Sequence, residues 1–300
     1  MLYVAFDPVY AHPLPPGHRF PMLKYELIPE QLLHEGVISE ADLHSPAPLD
    51  EAMILWTHEK EYWKRLRGLQ LSKQEERRSG FPVTHALVER EIRIARGTID
   101  GCLHALKAGI AFNVAGGTHH AGSNWAEGFC LLNDQAIAAN FLIREKHAKR
   151  ILIIDLDVHQ GNGTAEIFYG RDDVFTFSMH GAKNFPFRKE RSDLDIPLEN
   201  GTGDDEYLHL LKTTLPGLFD TVRPDFVFYL AGVDVLASDA LGKLSMSRLG
   251  CRQRDEEVFS LCKIRGVPVQ VSMGGGYSPG IRDIVDAHCN TYKAAAERYT

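Results

Sequence analysis

Six apolar runs recur along the chain: LYVAF at 2–6, IAFNVAGG at 110–117, ILIIDLD at 151–157, VFTFSM at 174–179, DFVFYLAG at 225–232 and VPVQVSMGGG at 267–276. They are rich in Val, Ile and Phe and lack the strict alternation of half-exposed strands, which is the pattern of strands buried on both faces. Segments of helical length separate them, at 84–108, 133–146, 204–221 and 247–265, with Asp204 and Ser247 read as N-caps. The alternation predicts a parallel α/β sheet with helices on both faces. No repeat or low-complexity linker interrupts it. The Pro-rich opening (Pro8, Pro13, Pro15, Pro16, Pro21) and the stretch 184–197 read as long loops that wall a site.

Composition narrows this picture. Three hundred residues at 44% hydrophobic suffice for one large core, so residues 1–300 are read as a single domain. A net charge of -7 argues against direct nucleic-acid binding, which wants a basic face, and tolerates a cationic substrate. The run KQEERR at 73–78 reads as a solvated helix face. There is no basic leader and no run of about 18 apolar residues, so no membrane span is expected. Five cysteines without C-x-x-C spacing suggest neither disulfides nor a structural zinc cluster, and a cytoplasmic location follows.

The chemistry gathers where the apolar runs end. In open parallel sheets, ligands bind beyond the carboxyl ends of the strands. Those ends carry Thr118, His119 and His120 after the second run and Asp155, Asp157 and His159 after the third. Asp234 follows the fifth run, and Gly274 to Gly276 with Tyr277 follow the sixth. Residues two apart on an extended chain share a face, so Asp157 and His159 point together, and neighbouring carboxylates need a cation to balance them. With Asp234 they make three ligands and an open position, the arrangement of a catalytic metal. Asp157 and His159 also suit a turn, and Asp234 a helix cap. His119 and His120 suit proton transfer, Tyr277 an oxyanion contact, and Phe129 either the core or the wall of a slot.

The ordered set GGTHHAG (116–122), EGFCLLND (127–134), IIDLDVHQGNGT (153–164), FSMH (177–180), LAGVDVLASDALG (230–242) and SMGGGY (272–277) resembles the histone deacetylase superfamily. The stretches 199–208 and 241–259 are most similar to its class IV members and their bacterial relatives. The resemblance implies an arginase-like α/β fold with a parallel sheet of about eight strands. It implies zinc on Asp157, His159 and Asp234, with Fe(II) suited to the same donors, and hydrolysis of an acylated lysine in a protein or peptide, by a deacetylase or equally by a longer-chain deacylase, or of another acylated amine. His119 and His120 match the acid/base pair, Tyr277 the carbonyl-polarising phenol, and Gly128, Phe129, Gly275 and Gly276 the substrate tunnel. Asp155 matches the partner of the first His. With Ser178 and the carbonyls of Asp157, His159 and Met179 it is expected to bind structural K+ or Na+, and a second such ion is expected near Phe168, Arg171 and Val174. Arg19 aligns with an arginine beneath the site associated with product exit.

Two departures accompany the resemblance. Asn162 stands where class I members carry an Asp behind the second His, so His120 should have the lower pKa and act as base. No Asp occupies the stretch 77–85, where many members clamp the substrate backbone. An acetylpolyamine amidohydrolase and a non-catalytic zinc-containing binder of acylated proteins are the rival readings. A two-metal ureohydrolase is disfavoured by the His pair and by GGGY.

Overall fold

The computed structural model describes residues 2–299. Its centre is an all-parallel sheet of eight strands: β1 (Val4–Ala5), β2 (Leu43–His44), β3 (Ile110–Asn113), β4 (Ile151–Asp155), β5 (Val174–Gly181), β6 (Leu194–Leu198), β7 (Phe226–Leu230) and β8 (Val269–Ser272). Their order across the sheet is β2-β1-β3-β8-β7-β4-β5-β6. Every residue of β3, β4, β7 and β8 is buried, as continuous apolar runs require in a sheet covered on both faces.

Two of the eight strands lie outside the apolar runs. β2 is only two residues of mixed character beside β1. β6 lies within the segment read as a long loop and contains Pro197, which an edge strand accommodates because one side of its backbone needs no ladder partner.

The four expected helices form as His85–Ala108, Asp134–Arg144, Asp204–Val222 and Arg248–Arg265. Thr84, Asn133 and Ser247 cap three of them through side-chain oxygens. Asp204 is not a cap: Gly203 takes that position, and the Asp204 carboxylate instead accepts from the backbone N–H of Ser247 at 2.8 Å and its hydroxyl at 2.5 Å. The carboxylate thus ties the start of one helix to the start of the next. Among the described residues, no helix is long and apolar enough to cross a membrane.

His58 fastens the loop after the His pair to the start of the helix Asp134–Arg144. Its Nε2 accepts the Asn133 N–H at 3.0 Å, which leaves Nδ1 to donate to the Gly122 carbonyl at 3.0 Å. Burial pushes this imidazole down to about 4 from 6.5, so the folded state needs it neutral while the unfolded chain takes up a proton. Its contribution should be full above pH 6.5 and should be lost as pH falls toward 4, a change of about 3 kcal/mol. Denaturant midpoints for the wild type and His58→Gln should therefore converge across that window. Parallel pH curves would contradict the assignment.

Candidate active site

The four strands with polar ends, β3, β8, β7 and β4, are consecutive neighbours in the sheet. The register pairs Asp155 with Leu230 and Leu230 with Ser272, so the segments bearing Asp157, Asp234 and Tyr277 leave the sheet side by side. The topology thus converts four separate motifs into one site.

Asp157, His159 and Asp234 are buried, and one ligand atom from each lies within 4.8 Å of the others. His159 Nδ1 is 3.1 Å from both Asp157 Oδ1 and Asp234 Oδ2. Ligands about 2.0–2.2 Å from a tetrahedral zinc stand roughly 3.3 Å apart, so the donors are already at metal-binding spacing. Their electrostatics point the same way. Burial, followed by the Asp157 charge, pushes Asp234 up to about 7, and the two carboxylates overcome burial to push His159 up to about 10. The cluster lacks positive charge, and a divalent cation would supply it.

Backbone groups aim these carboxylates. The Val158 N–H donates to Asp234 Oδ1 at 2.9 Å and the Gly275 N–H to Asp157 Oδ2 at 2.7 Å. Gly275 permits that approach because a Cβ there would collide with the Asp234 carboxylate. Lys24, fully buried, donates to the Gly274 carbonyl at 3.0 Å with its ammonium 5.7 Å from the Tyr277 ring. It braces the glycine loop from below, and nothing in its local sequence signals that position.

The His pair stands beside the cluster, its ring centroids 4.1 Å apart. His119 Nδ1 donates to Asp155 Oδ2 at 2.7 Å. Burial opposes a charge on His119, but Asp155 and Asp157 outweigh it and raise its pKa. His120 is held well below the usual range by burial and by the positive charges of His119 and His159. Its Nδ1 lies 2.6 Å from Asn162 Oδ1, while Asn162 Nδ2 donates to Glu127 at 2.9 Å and Arg78 clamps Glu127. The amide is therefore fixed oxygen-inward, so His120 Nδ1 carries the proton and Nε2 keeps its lone pair.

An inner cavity and an outer pocket meet at His120, Gly128, Phe129, His159 and Tyr277. Gly128 has φ +55, and a Cβ on it would meet the His120 ring at 2.6 Å, which leaves glycine as the residue that keeps the throat open. Phe129 holds a left-handed φ of 67 under hydrogen bonds from the Gly128 and Phe129 N–H groups to the carbonyls of Arg78 and Ser79. Phe185 forms the facing wall, its ring 5.0 Å from that of His120 and nearly perpendicular to it. It lies in the loop whose length suggested a wall, but its own role is not legible in the sequence.

Two residues expected in the site stand elsewhere. Arg19 is exposed, its guanidinium 5.2 Å from the Phe129 ring in the outer pocket, while the next side chain, Phe20, turns inward. The arginine at the inner cavity is Arg90, buried against Glu91 and bonded to the Tyr10 carbonyl at 2.7 Å. Gly276 lines neither space, since a Cβ there would meet Val233 and Ile284. The residues expected around monovalent cations fall in two groups. Asp155 and Ser178 face each other across β4 and β5, and Arg171 closes a turn on the Phe168 carbonyl just before Val174.

Residues 18–292 match the histone deacetylase domain family. The chain is 44% identical to an uncharacterized protein of Picosynechococcus sp. over 296 residues, 99% of each chain. It is 30% identical to histone deacetylase B of Dictyostelium discoideum over 95% of this chain and 69% of that one. A crystal structure of an HDAC homolog from Aquifex aeolicus superposes with a TM-score of 0.85 at 25% identity, covering 99% of this chain and 84% of the other. A crystal structure of an HDAC homolog complexed with SAHA gives a TM-score of 0.85 at 26% identity, with the same coverage.

Proposed function

The chain belongs to the histone deacetylase family, and from that premise we propose that it hydrolyses the amide of an ε-acylated lysine with zinc held by Asp157, His159 and Asp234. The observation that carries this reading is the convergence of three buried ligands and the His pair at the inner end of an aromatic throat. Zinc, when bound, supplies Lewis-acid polarisation of the amide carbonyl and of the attacking water.

The chain's own groups divide the proton work. His120, neutral and with Nε2 free, accepts the proton of the attacking water. His119, which holds its proton more tightly against Asp155, gives one to the departing amine. Tyr277 is raised well above the usual phenol range by burial and by Asp157 and Asp234, so it stays protonated and donates to the developing oxyanion.

The inner cavity has a volume of about 30 Å³, room for roughly two water molecules. It suits an acetyl group rather than a long alkyl chain. Acetyl-, octanoyl- and myristoyl-lysine versions of one peptide, given to zinc-reconstituted protein, test both points. We expect kcat/KM to fall at least about tenfold from acetyl to octanoyl. Preference for myristoyl would overturn the short-acyl reading, and silence across the panel would overturn the deacylase reading.

A further inference from the structure

We propose that the mouth of the throat selects acyl-lysines flanked by acidic residues and disfavours both basic peptide segments and acetylated polyamines. The inference rests on the deacylase reading and names its substrate class. Although the chain carries a net charge of -7, the outer pocket is lined by Arg19, Arg77, Arg78, Lys183 and Lys243 against the single carboxylate of Glu127. The five cationic residues are exposed. Arg78 and Glu127 occupy each other through two hydrogen bonds at 2.9 and 3.0 Å, so the excess positive charge is that of Arg19, Arg77, Lys183 and Lys243. Among the described residues, Lys183 is paired with Glu199 alone, itself exposed, at 3.6 Å, and such pairs contribute little. Arg77 and Arg78 belong to the run read as a solvated helix face; the helix Lys73–Ser79 does leave them exposed, and that exposed face borders the pocket.

The cations surround a pocket of about 460 Å³, large enough for residues on either side of an inserted lysine. Phe187, 90% exposed, adds an apolar shelf beside them. Lys189 fixes the loop that carries this shelf by donating to the carbonyls of Asn184 and Pro186, each at 2.6 Å. The shelf is therefore held in place beside Lys183, which directly precedes this loop. A cleft lined by one sign of charge raises the local concentration of the opposite charge and penalises its own. The rim thus reverses the tolerance for cations suggested by net charge alone, and it weighs against the polyamine reading.

The test uses three acetyl-lysine peptides with Asp/Glu, uncharged or Lys/Arg flanks, together with acetylspermidine. We expect kcat/KM to decline in that order, by about tenfold from acidic to basic flanks at low ionic strength, with the ratio shrinking as salt is added. The double variant K183E/K243E, which brings the lining to equal numbers of cationic residues and carboxylates, should abolish the preference between the charged peptides. Equal rates on the three peptides, or a preference for basic flanks, would overturn the proposal. Affinities of the same peptides for Tyr277→Phe protein read the mouth without turnover. An enzyme silent on every peptide would then condemn the deacylase reading, while tighter binding of the acidic peptide would still support the selectivity and equal affinities would refute it.

Discussion

Replacing Asp157 by alanine is expected to abolish zinc retention and to lower turnover at least about a thousandfold, while leaving a folded protein. Asp157 is central because one oxygen faces His159 Nδ1 and the other receives the Gly275 N–H. Its removal takes a charge from the ligand set and frees the glycine loop at the same point. The metal-free protein gains something in exchange, since Asp157 is the main charge holding Asp234 up. What the variant should lose is the stabilisation added by the metal, which reaches about 4 kcal/mol when zinc is present at a thousand times its dissociation constant. Melting curves with and without zinc separate the two effects. The wild type should shift upward and the variant should not. A variant that still shifts would move the metal site away from Asp157.

Replacing Tyr277 by phenylalanine should lower kcat by about 10²–10³-fold, with KM and zinc content nearly unchanged. The ring is held by its surroundings and not by its hydroxyl: Phe20 lies 6.1 Å away, Phe129 5.9 Å and His159 6.3 Å between centroids. Phenylalanine fills the same space, so the loss isolates one donor to the oxyanion. The backbone N–H of Tyr277 donates to Asp239 at 2.6 Å, an anchor the substitution keeps. Steady-state kinetics on an acetyl-lysine peptide check this, and unchanged kcat would remove Tyr277 from the chemistry.

How much of this was legible in the sequence follows from which physical signals are local. β4 and β7 announce themselves because a strand buried on both faces is apolar throughout, and their ends announce chemistry because charge there needs a reason. β2 and β6 give no such signal, being short or interrupted by proline at the sheet edge. The adjacency of β3, β8, β7 and β4 is tertiary, and no periodicity encodes it. Spacing placed Asp157 beside His159, but the inward turn of Phe20 in place of Arg19 depends on packing around Gly80 and Phe129. There His18 Nε2 lies 2.9 Å from the Gly80 carbonyl. Lys24 and Arg90 act from helices remote in sequence, and only their burial reveals them. The charge of the mouth was hidden for a similar reason. Net charge averages over the whole surface, whereas Arg77 and Lys183 meet only in the fold.

The central claim is that Asp157, His159 and Asp234 hold a catalytic zinc. Its most direct test is to strip the protein with a chelator and titrate zinc back while following both bound metal and hydrolysis of an acetyl-lysine peptide. Activity that vanishes on stripping and returns in proportion to occupancy, saturating at one zinc per chain, is the predicted result. Full hydrolysis by the metal-free protein, or zinc bound stoichiometrically with no return of activity, would contradict it.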